Sequence, residues 1–289
     1  MIDTKIQGKT VLITGANHGI GAATALKFAE QGANVCFTYF RGKCSFSAAE
    51  LQSAKAKGTG GALLYAANQQ NTGAELVSKI AATPGKAVAI ELDLADANNI
   101  GVLFDWCEQQ FGVVDILVNN HTFCELDTFD AQAVSAAGFG IQLITAGLID
   151  KNFAINTRAY ALMMREFIAR HTKAGNSWGR IINISTDAAH AHEKNVSYAA
   201  SKHAIESYSR SAAVEFGKYG VTVNIVAPGP IQTGYLSEAQ ALEIGQGTPL
   251  RRVDQPEDVA DVILFLASEQ AHWLTGQLLY TGGGWTMHQ

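Results

Sequence analysis

The feature that most constrains the fold is an alternation of short apolar runs with longer amphipathic stretches along the whole chain. The run Val11-Leu12-Ile13 comes first, and the stretch after it has apolar residues at helical spacing until Gly32. Six further runs are predicted as strands: Val35 to Tyr39, Ala87 to Leu92, Ile116-Leu117-Val118, Arg180 to Ile184, Val221 to Val226 and Leu278 to Thr281. Apolar strands that alternate with helices are typical of a parallel sheet covered on both faces. The sequence therefore predicts an α/β fold with about seven strands.

No linker rich in proline or serine interrupts this pattern, so we expect residues 1–289 to form a single domain. Two segments are longer than one crossover requires, at about 42–86 and 122–152. Ser47-x-x-Glu50 and Thr72-x-x-Glu75 in the first segment are capping-box signals. They predict two helices there, separated by the glycine-rich stretch Gly58 to Gly61. The second segment is rich in Ala and Gly, and we expect it at the rim of the functional site.

Composition excludes several classes of protein. The chain has 21 Lys and Arg against 26 Asp and Glu, with no cluster of basic residues, so a nucleic-acid partner is not expected. No apolar stretch approaches the roughly 20 residues that span a bilayer, and the first residues lack an apolar signal region. The four cysteines show no CxxC or zinc-finger spacing, which favours a reduced, cytoplasmic protein without a membrane partner or a metal site.

A glycine-rich turn lies directly between the first predicted strand and the first predicted helix. Its sequence is Thr14-Gly15-Ala16-Asn17-His18-Gly19-Ile20-Gly21. Glycines let a backbone turn tightly and approach a pyrophosphate, whose negative charge is favoured at a helix N-terminus. Turns also need glycine for purely structural reasons, but the position between strand and helix is the context that a dinucleotide-binding motif requires.

A second constellation combines a serine, a tyrosine and a lysine. Tyr198 and Lys202 are four residues apart, so on a helix they share one face and the ammonium can lie near the phenol. A nearby cation lowers a tyrosine pKa from about 10, which suits a general acid or base. Ser185 follows a predicted strand, where its hydroxyl could bind a substrate oxygen. An isolated pair of this kind could equally be a surface pair, but Ser185 and the glycine turn favour catalysis.

The Gly-x-x-x-Gly-x-Gly spacing resembles that of the short-chain dehydrogenase/reductase family, and closest of all the 3-oxoacyl-carrier-protein reductases. Further family landmarks follow in order along most of the chain: Asp93, Asn119-Asn120, Asn156, Ser185, Tyr198, Lys202 and Pro228-Gly229-Pro230-Ile231-Gln232-Thr233. One departure is Asn119-Asn120-His121-Thr122, where the family commonly has Asn-Asn-Ala-Gly.

The resemblance implies a single Rossmann-type doubly wound parallel sheet. It also implies an NAD(P)H-dependent oxidoreductase that reduces a ketone or 3-oxoacyl carbonyl to a secondary alcohol, or catalyses the reverse. Tyr198 would donate the proton, Ser185 would bind the substrate oxygen, Lys202 would hold the nicotinamide ribose, and Asn156 would position a relay water. The alternative is a catalytically silent nicotinamide-binding sensor, and relatives suggest a homotetramer. The expected cofactor-binding residues are Gly15, Asn17, His18, Gly19, Ile20, Gly21, Arg41, Asp93, Asn119, Tyr198, Lys202, Pro228, Gly229, Ile231 and Thr233.

The end of the second predicted strand indicates which nicotinamide is used. NAD enzymes usually carry an acid there to bind the adenosine ribose, whereas this chain has Tyr39-Phe40-Arg41. Without a carboxylate to repel a 2′-phosphate, Arg41 offers a fork of donors for it, and His18 is a second basic candidate. The sequence therefore favours NADP(H), with NAD(H) possible.

Overall fold

The structure is a computed structural model that describes residues 3–133 and 140–285. Its strands are β1 (Thr10–Thr14), β2 (Asn34–Tyr39), β3 (Lys86–Glu91), β4 (Ile116–Asn119), β5 (Leu126–Thr128), β6 (Ile141–Leu143), β7 (Gly179–Ile184), β8 (Val221–Pro228) and β9 (Leu278–Thr281). Its α-helices are α1 (Gly19–Glu30), α2 (Ala48–Lys57), α3 (Ala62–Gln69), α4 (Ala74–Ile80), α5 (Asn98–Phe111), α6 (Ala146–Phe153), α7 (Ala159–Lys173), α8 (Val196–Phe216), α9 (Glu238–Gly247) and α10 (Pro256–Ala267). A π-helical turn, Ala154–Arg158, joins α6 to α7.

The predicted strands form one seven-stranded sheet with the order β3-β2-β1-β4-β7-β8-β9. Every neighbouring pair is parallel, which confirms the predicted fold class. The strand order reverses between β1 and β4, and ligands of such sheets bind in the crevice beyond the carboxyl ends of the strands at that point. The fold therefore directs attention to the residues that follow β1, β4 and β7.

Two hydrophobic clusters cover the two faces of the sheet. One contains Phe28 of α1 and Ile263 of α10, and the other contains Phe104 of α5 and Met163 of α7. These four residues are almost wholly buried. Helix α1 ends at Glu30, and Gly32 then adopts a φ of +79°, a conformation that favours glycine.

The first enlarged segment contains three helices, so the prediction of two is wrong. The Ser47–Glu50 capping box forms at the start of α2, but Thr72 caps nothing, because the residue before α4 is Gly73. A Cβ on Gly73 would overlap the Ala89 side chain and lie 3.0 Å from the Phe37 ring. The backbone at Gly73 therefore packs directly against the sheet, and this contact separates α3 from α4.

The second enlarged segment carries a short parallel pair, β5 and β6, and helix α6, none of which the sequence predicts. Residues 134–139 of this segment lie outside the described residues. Thr145 caps α6 by accepting the N–H of Leu148 at 3.2 Å. No helix within the described ranges combines the length and apolar character needed to cross a membrane.

Candidate active site

Helix α8 brings Tyr198 and Lys202 to the carboxyl end of β7. The Lys202 ammonium is 1 % exposed and donates to the backbone carbonyl of Ile184 at 2.8 Å. Ser185 is the next residue, and the Lys202 Nζ lies 5.8 Å from the centre of the Tyr198 ring. The structure thus brings together the serine, tyrosine and lysine that the sequence singled out.

The electrostatics of this pair differ from the sequence expectation. Burial lowers the pKa of Lys202 to about 7, so the side chain is only partly cationic at neutral pH. Burial also raises the pKa of Tyr198, against a smaller opposing effect of a hydrogen bond with Thr122. The expected lowering of the Tyr198 pKa is therefore wrong for the cofactor-free protein, because the loss of water outweighs the nearby lysine.

Ser185 does not offer a free hydroxyl. Its Oγ donates to Glu206 Oε1 at 2.8 Å, and Glu206, one turn after Lys202 on α8, is 1 % exposed. The other carboxylate oxygen of Glu206 lies 3.7 Å from Arg210 Nη2. A substrate carbonyl that needs the Ser185 proton must therefore compete with a buried carboxylate.

Asn156 lies in the π-helical turn between α6 and α7, and it is fully buried. Its amide oxygen accepts the N–H of Phe123 at 2.8 Å and the hydroxyl of Thr122 at 3.2 Å. Its amide nitrogen has the Phe123 carbonyl at 2.8 Å and Ser201 Oγ at 3.0 Å. The side chain is fully engaged in holding the segment after β4 against α8, so a relay through it requires one of these hydrogen bonds to break.

The side chain of His121, where the sequence departs from the family motif, is buried in the interior. The His121 ring is within hydrogen-bond distance of Thr14 Oγ1, at 2.7 Å, and of the Ile155 carbonyl, at 3.0 Å. Burial, with a smaller contribution from Lys202, lowers the pKa of His121 to about 3, so the ring is neutral. Because the side chain points inward, the backbone of His121 can pass close to Gly15, where a Cβ would lie 2.8 Å from the His121 Cα.

The glycine turn fits a dinucleotide phosphate. Gly15 and Gly19 have φ angles of +66° and +56°, and the N-cap residue of α1, His18, makes no side-chain capping hydrogen bond. A Cβ on Gly21 would lie 2.6 Å from Asn120 Nδ2 and would overlap the carbonyl of Gly15. A helix N-terminus that is preceded by a glycine turn and lacks a side-chain cap is suited to bind an anion.

Other predicted cofactor residues lie at the same edge of the sheet with different tasks. Asn119 points across the sheet, where its amide donates to Asn183 Oδ1 at 2.8 Å. The side chain that reaches the glycine turn is Asn120, which donates to the Gly15 carbonyl at 2.7 Å. Asp93 accepts the N–H of Ala95 at 2.9 Å just after β3. Pro228 ends β8, and Gly229 after it leads to the buried Ile231 and to Thr233.

The first enlarged segment connects the two sides of the cleft through α3. Asn17 in the glycine turn donates to the carbonyls of Gln69 and Asn71, at 3.0 and 2.9 Å. Asn68 of α3 donates to the carbonyl of Thr233 at 3.3 Å, on the opposite side. The Tyr65 ring lies edge-on to His18, at 5.7 Å between centroids, and to Tyr235, at 6.0 Å.

Two expectations for the adenosine end need correction. Arg41 is paired with Glu91 at the end of β3, with Nη2 at 2.7 Å and Nε at 3.0 Å from the same carboxylate oxygen. A carboxylate therefore does stand where the sequence suggested none, since β2 and β3 place Tyr39 opposite Glu91. Burial lowers the pKa of His18 to about 4, so its ring is neutral and supplies no charge for a phosphate.

Two residues of this site, Glu206 and Tyr160, are absent from the sequence-based expectations. Glu206 holds Ser185, and Tyr160 contacts Lys202. Asn120 and Thr122 stand in the motif after β4 without an assigned role, and they hold the glycine turn and Asn156. The spacing of Glu206 and Tyr160 could have indicated their place in the site. Glu206 lies four residues after Lys202, and Tyr160 lies four residues after Asn156, so each shares a helix face with a predicted site residue.

The chain matches two known families of related enzymes. Residues 51–286 match the family described as enoyl-(acyl carrier protein) reductase, and residues 9–60 match the family described as short chain dehydrogenase. Together these matches include the glycine turn and every residue gathered at the end of β7.

Individual relatives agree along almost the whole chain. Versicolorin reductase 1 of Dothistroma septosporum is 30% identical over 298 residues, which cover 97% of this chain and 97% of that protein. A probable tetrahydroxynaphthalene reductase of Zymoseptoria tritici is 30% identical over 301 residues, covering 98% of this chain and 96% of its own. Among solved structures, a blue fluorescent protein from a metagenomic library, in complex with NADPH, has a TM-score of 0.75 and 28% identity, and the match covers 98% of this chain and 99% of that one.

Proposed function

We infer the function from one premise: the chain belongs to the short-chain dehydrogenase/reductase family and is an oxidoreductase that uses a nicotinamide cofactor. We propose that it reduces a ketone or 3-oxoacyl carbonyl to a secondary alcohol with NADPH. The observation that carries the proposal is the contact of Lys202 with the carbonyl of Ile184. It brings the lysine beside Ser185 and under the ring of Tyr198 at the sheet edge where ligands bind.

Tyr198 is the proposed general acid in reduction and general base in oxidation. Its raised pKa means that the phenol holds its proton in the cofactor-free protein, which is the form that a carbonyl reduction needs. Thr122 partly opposes this rise in the pKa of Tyr198. In the reverse direction the phenol must lose its proton, and the ammonium form of Lys202 favours that loss.

The residues present fit a dinucleotide. Gly15, Gly19, Ile20 and Gly21 would hold the pyrophosphate at the start of α1, and Lys202 would bind the nicotinamide ribose. When bound, the nicotinamide supplies or accepts the hydride. Asp93 at the adenine, and Asn17 and the Pro228–Thr233 segment along the cofactor, complete the proposed binding residues.

NADPH is the proposed form of the cofactor because Arg41 is the cation nearest to the end of β2. The NADPH bound by the metagenomic relative supports this assignment. The Arg41–Glu91 pair has to open or turn for the 2′-phosphate to bind, so the preference for NADPH over NADH is expected to be moderate.

A catalytically silent sensor has no observation in its favour. Support for the enzyme comes from Asn156, Ser185, Tyr198 and Lys202, whose side chains all have defined hydrogen-bond partners or ring contacts. Versicolorin reductase 1 and the probable tetrahydroxynaphthalene reductase, which match along almost the whole chain, are reductases by name.

We further propose a single-domain homotetramer in the cytoplasm. Free cysteines support a reducing compartment, since Cys36, Cys44, Cys107 and Cys124 are all unpaired. An exposed apolar side chain on α8, Val214 at 85%, supports a surface that a second copy covers. Mass determination in solution tests the assembly, and a monomer would contradict it.

The change Tyr198→Phe tests the proposed function. It removes the transferable proton and keeps the ring, so turnover of NADPH with a carbonyl panel should fall by a factor of roughly 10²–10⁴, the usual contribution of a general acid. NADPH binding, measured by fluorescence, should change less than about threefold, because the substitution keeps the Tyr198 ring and leaves the glycine turn and Lys202 to bind the phosphates and the ribose. Tyr208→Phe is the matched control, since it makes the same chemical change on an exposed ring of α8. Turnover within a few-fold of the parent would contradict the assignment.

A further inference from the structure

A second tyrosine, Tyr160, is bonded to the lysine of the site. It lies on α7, four residues after Asn156, and its side chain is fully buried. The Lys202 Nζ lies 3.2 Å from the Tyr160 hydroxyl and 4.9 Å from the centre of its ring. Neither the family landmarks in the sequence nor the proposed catalytic steps use this residue.

The direction of the hydrogen bonds defines what Tyr160 can do. Its hydroxyl donates to the backbone carbonyl of His121 at 2.7 Å, so its oxygen accepts from Lys202. Burial raises the pKa of Tyr160, which keeps the phenol protonated. A backbone carbonyl cannot pass a proton on, so Tyr160 is the end of a hydrogen-bond chain and does not relay protons.

Lys202 has little other compensation for its charge. The titratable groups around it are Tyr198 on α8, His121 after β4, and Cys124 before β5, besides Tyr160 itself. His121 is neutral above a pKa of about 3, and burial raises the pKa of both Tyr198 and Cys124, so these groups are uncharged at neutral pH. Glu206, the acid on the same helix, is bonded to Ser185. The ammonium therefore depends on the Tyr160 oxygen and the Ile184 carbonyl.

We propose that Tyr160 is a positioning residue for Lys202, whose hydroxyl holds the ammonium at the end of β7, next to Tyr198 and Ser185. The proposal rests on the proposed function, because Lys202 is the group that supports the Tyr198 phenolate and binds the nicotinamide ribose. Tyr160 fixes where that ammonium sits, and His121, through its carbonyl, fixes Tyr160. The His121 ring, which is the departure from Asn-Asn-Ala-Gly, also packs on the Tyr160 ring, at 4.6 Å between centroids.

The variant Tyr160→Phe removes one oxygen and keeps the buried ring. In the cofactor-free protein the charged lysine loses a stronger hydrogen bond than the neutral amine does. We expect the variant to shift the unfolding equilibrium constant about tenfold more at pH 6 than at pH 10. In the Lys202→Met background the same change should have equal effects at both pH values, and Tyr208→Phe is the control.

The kinetic readout separates positioning from packing. In alcohol oxidation with NADP⁺, the pH at which kcat of Tyr160→Phe reaches half its maximum should rise by about one, and its Kd for NADPH should increase several-fold. A loss of stability that is equal at pH 6 and pH 10, or an unchanged pH profile, would overturn the proposal. Because the unfolding experiment needs neither substrate nor cofactor, it stays decisive if no carbonyl compound is turned over, a result that would contradict only the proposed function.

Discussion

Lys202→Met should stabilise the protein at acidic pH while it abolishes turnover. The lysine is 1 % exposed, and burial lowers its pKa from the ordinary 10.5 to about 7. A tenfold change in proton affinity is worth about 1.36 kcal/mol, so keeping this ammonium in the interior costs on the order of 5 kcal/mol. Methionine fills a similar volume without a charge to desolvate.

The pH dependence of this cost has a definite sign. Between pH 7 and 10.5 the unfolded chain binds a proton at Lys202 that the folded chain does not, so the stability of the parent rises with pH in that window. Below pH 7 the folded protein carries the full free-energy cost of burying the Lys202 ammonium. The substitution also leaves the Ile184 carbonyl without its donor, which costs about 1–3 kcal/mol. We therefore expect a net gain of roughly 2–4 kcal/mol at pH 6 that disappears by about pH 10.

Denaturant unfolding of parent and variant at pH 6, 8 and 10 measures this difference directly. Lys57→Met removes the same charge from an exposed position at the end of α2 and should show no comparable trend with pH. If Lys202→Met were destabilising by the same amount at every pH, the lysine would not be a desolvated cation, and the account of the site would be wrong. Turnover has to be lost in either case if Lys202 is catalytic.

Two further predictions concern the cofactor. Arg41→Ala should lower the ratio of kcat/KM for NADPH over NADH by about tenfold or more. Glu91→Gln should raise this ratio, because the carboxylate both pairs with Arg41 and repels a phosphate. A parent protein that prefers NADH would contradict both expectations. Gly21→Ala should weaken NADPH binding and cost about 1–3 kcal/mol of stability, because the new methyl group would displace Asn120 and the Gly15 carbonyl. Gly101→Ala in α5, where a Cβ meets open space, should be neutral or stabilising, and equal effects of the two glycine changes would refute the steric argument.

The parts of the fold that the sequence predicts are those encoded by local patterns. Each of the seven strands of the main sheet overlaps one of the predicted apolar runs. The proposed catalytic pair is equally visible in the sequence, because Tyr198 and Lys202 are four residues apart on one helix. The spacing of residues along the chain is enough to predict a site when its residues lie on a single helix or strand.

What the sequence could not predict depends on partners that are distant along the chain. Arg41 and Glu91 are fifty residues apart and meet only because β2 and β3 are neighbours in register. Thr72 has the sequence of a helix cap, but the contact of Gly73 with the sheet decides where α4 begins. The lowered pKa of His18 likewise comes from burial under α3, which no spacing in the glycine turn reveals.

These long-range partners change how ligand binding must be understood. In the cofactor-free protein Arg41 is paired with Glu91, Ser185 with Glu206, and Lys202 with Tyr160. Each ligand contact is therefore an exchange of one hydrogen bond for another, and its net free energy is smaller than that of the new bond alone. Affinity then has to come mainly from the glycine turn, where the N-terminus of α1 has no side-chain cap to displace. The charged residues instead determine which ligand is accepted, because only a group that replaces the lost partner well can open these pairs.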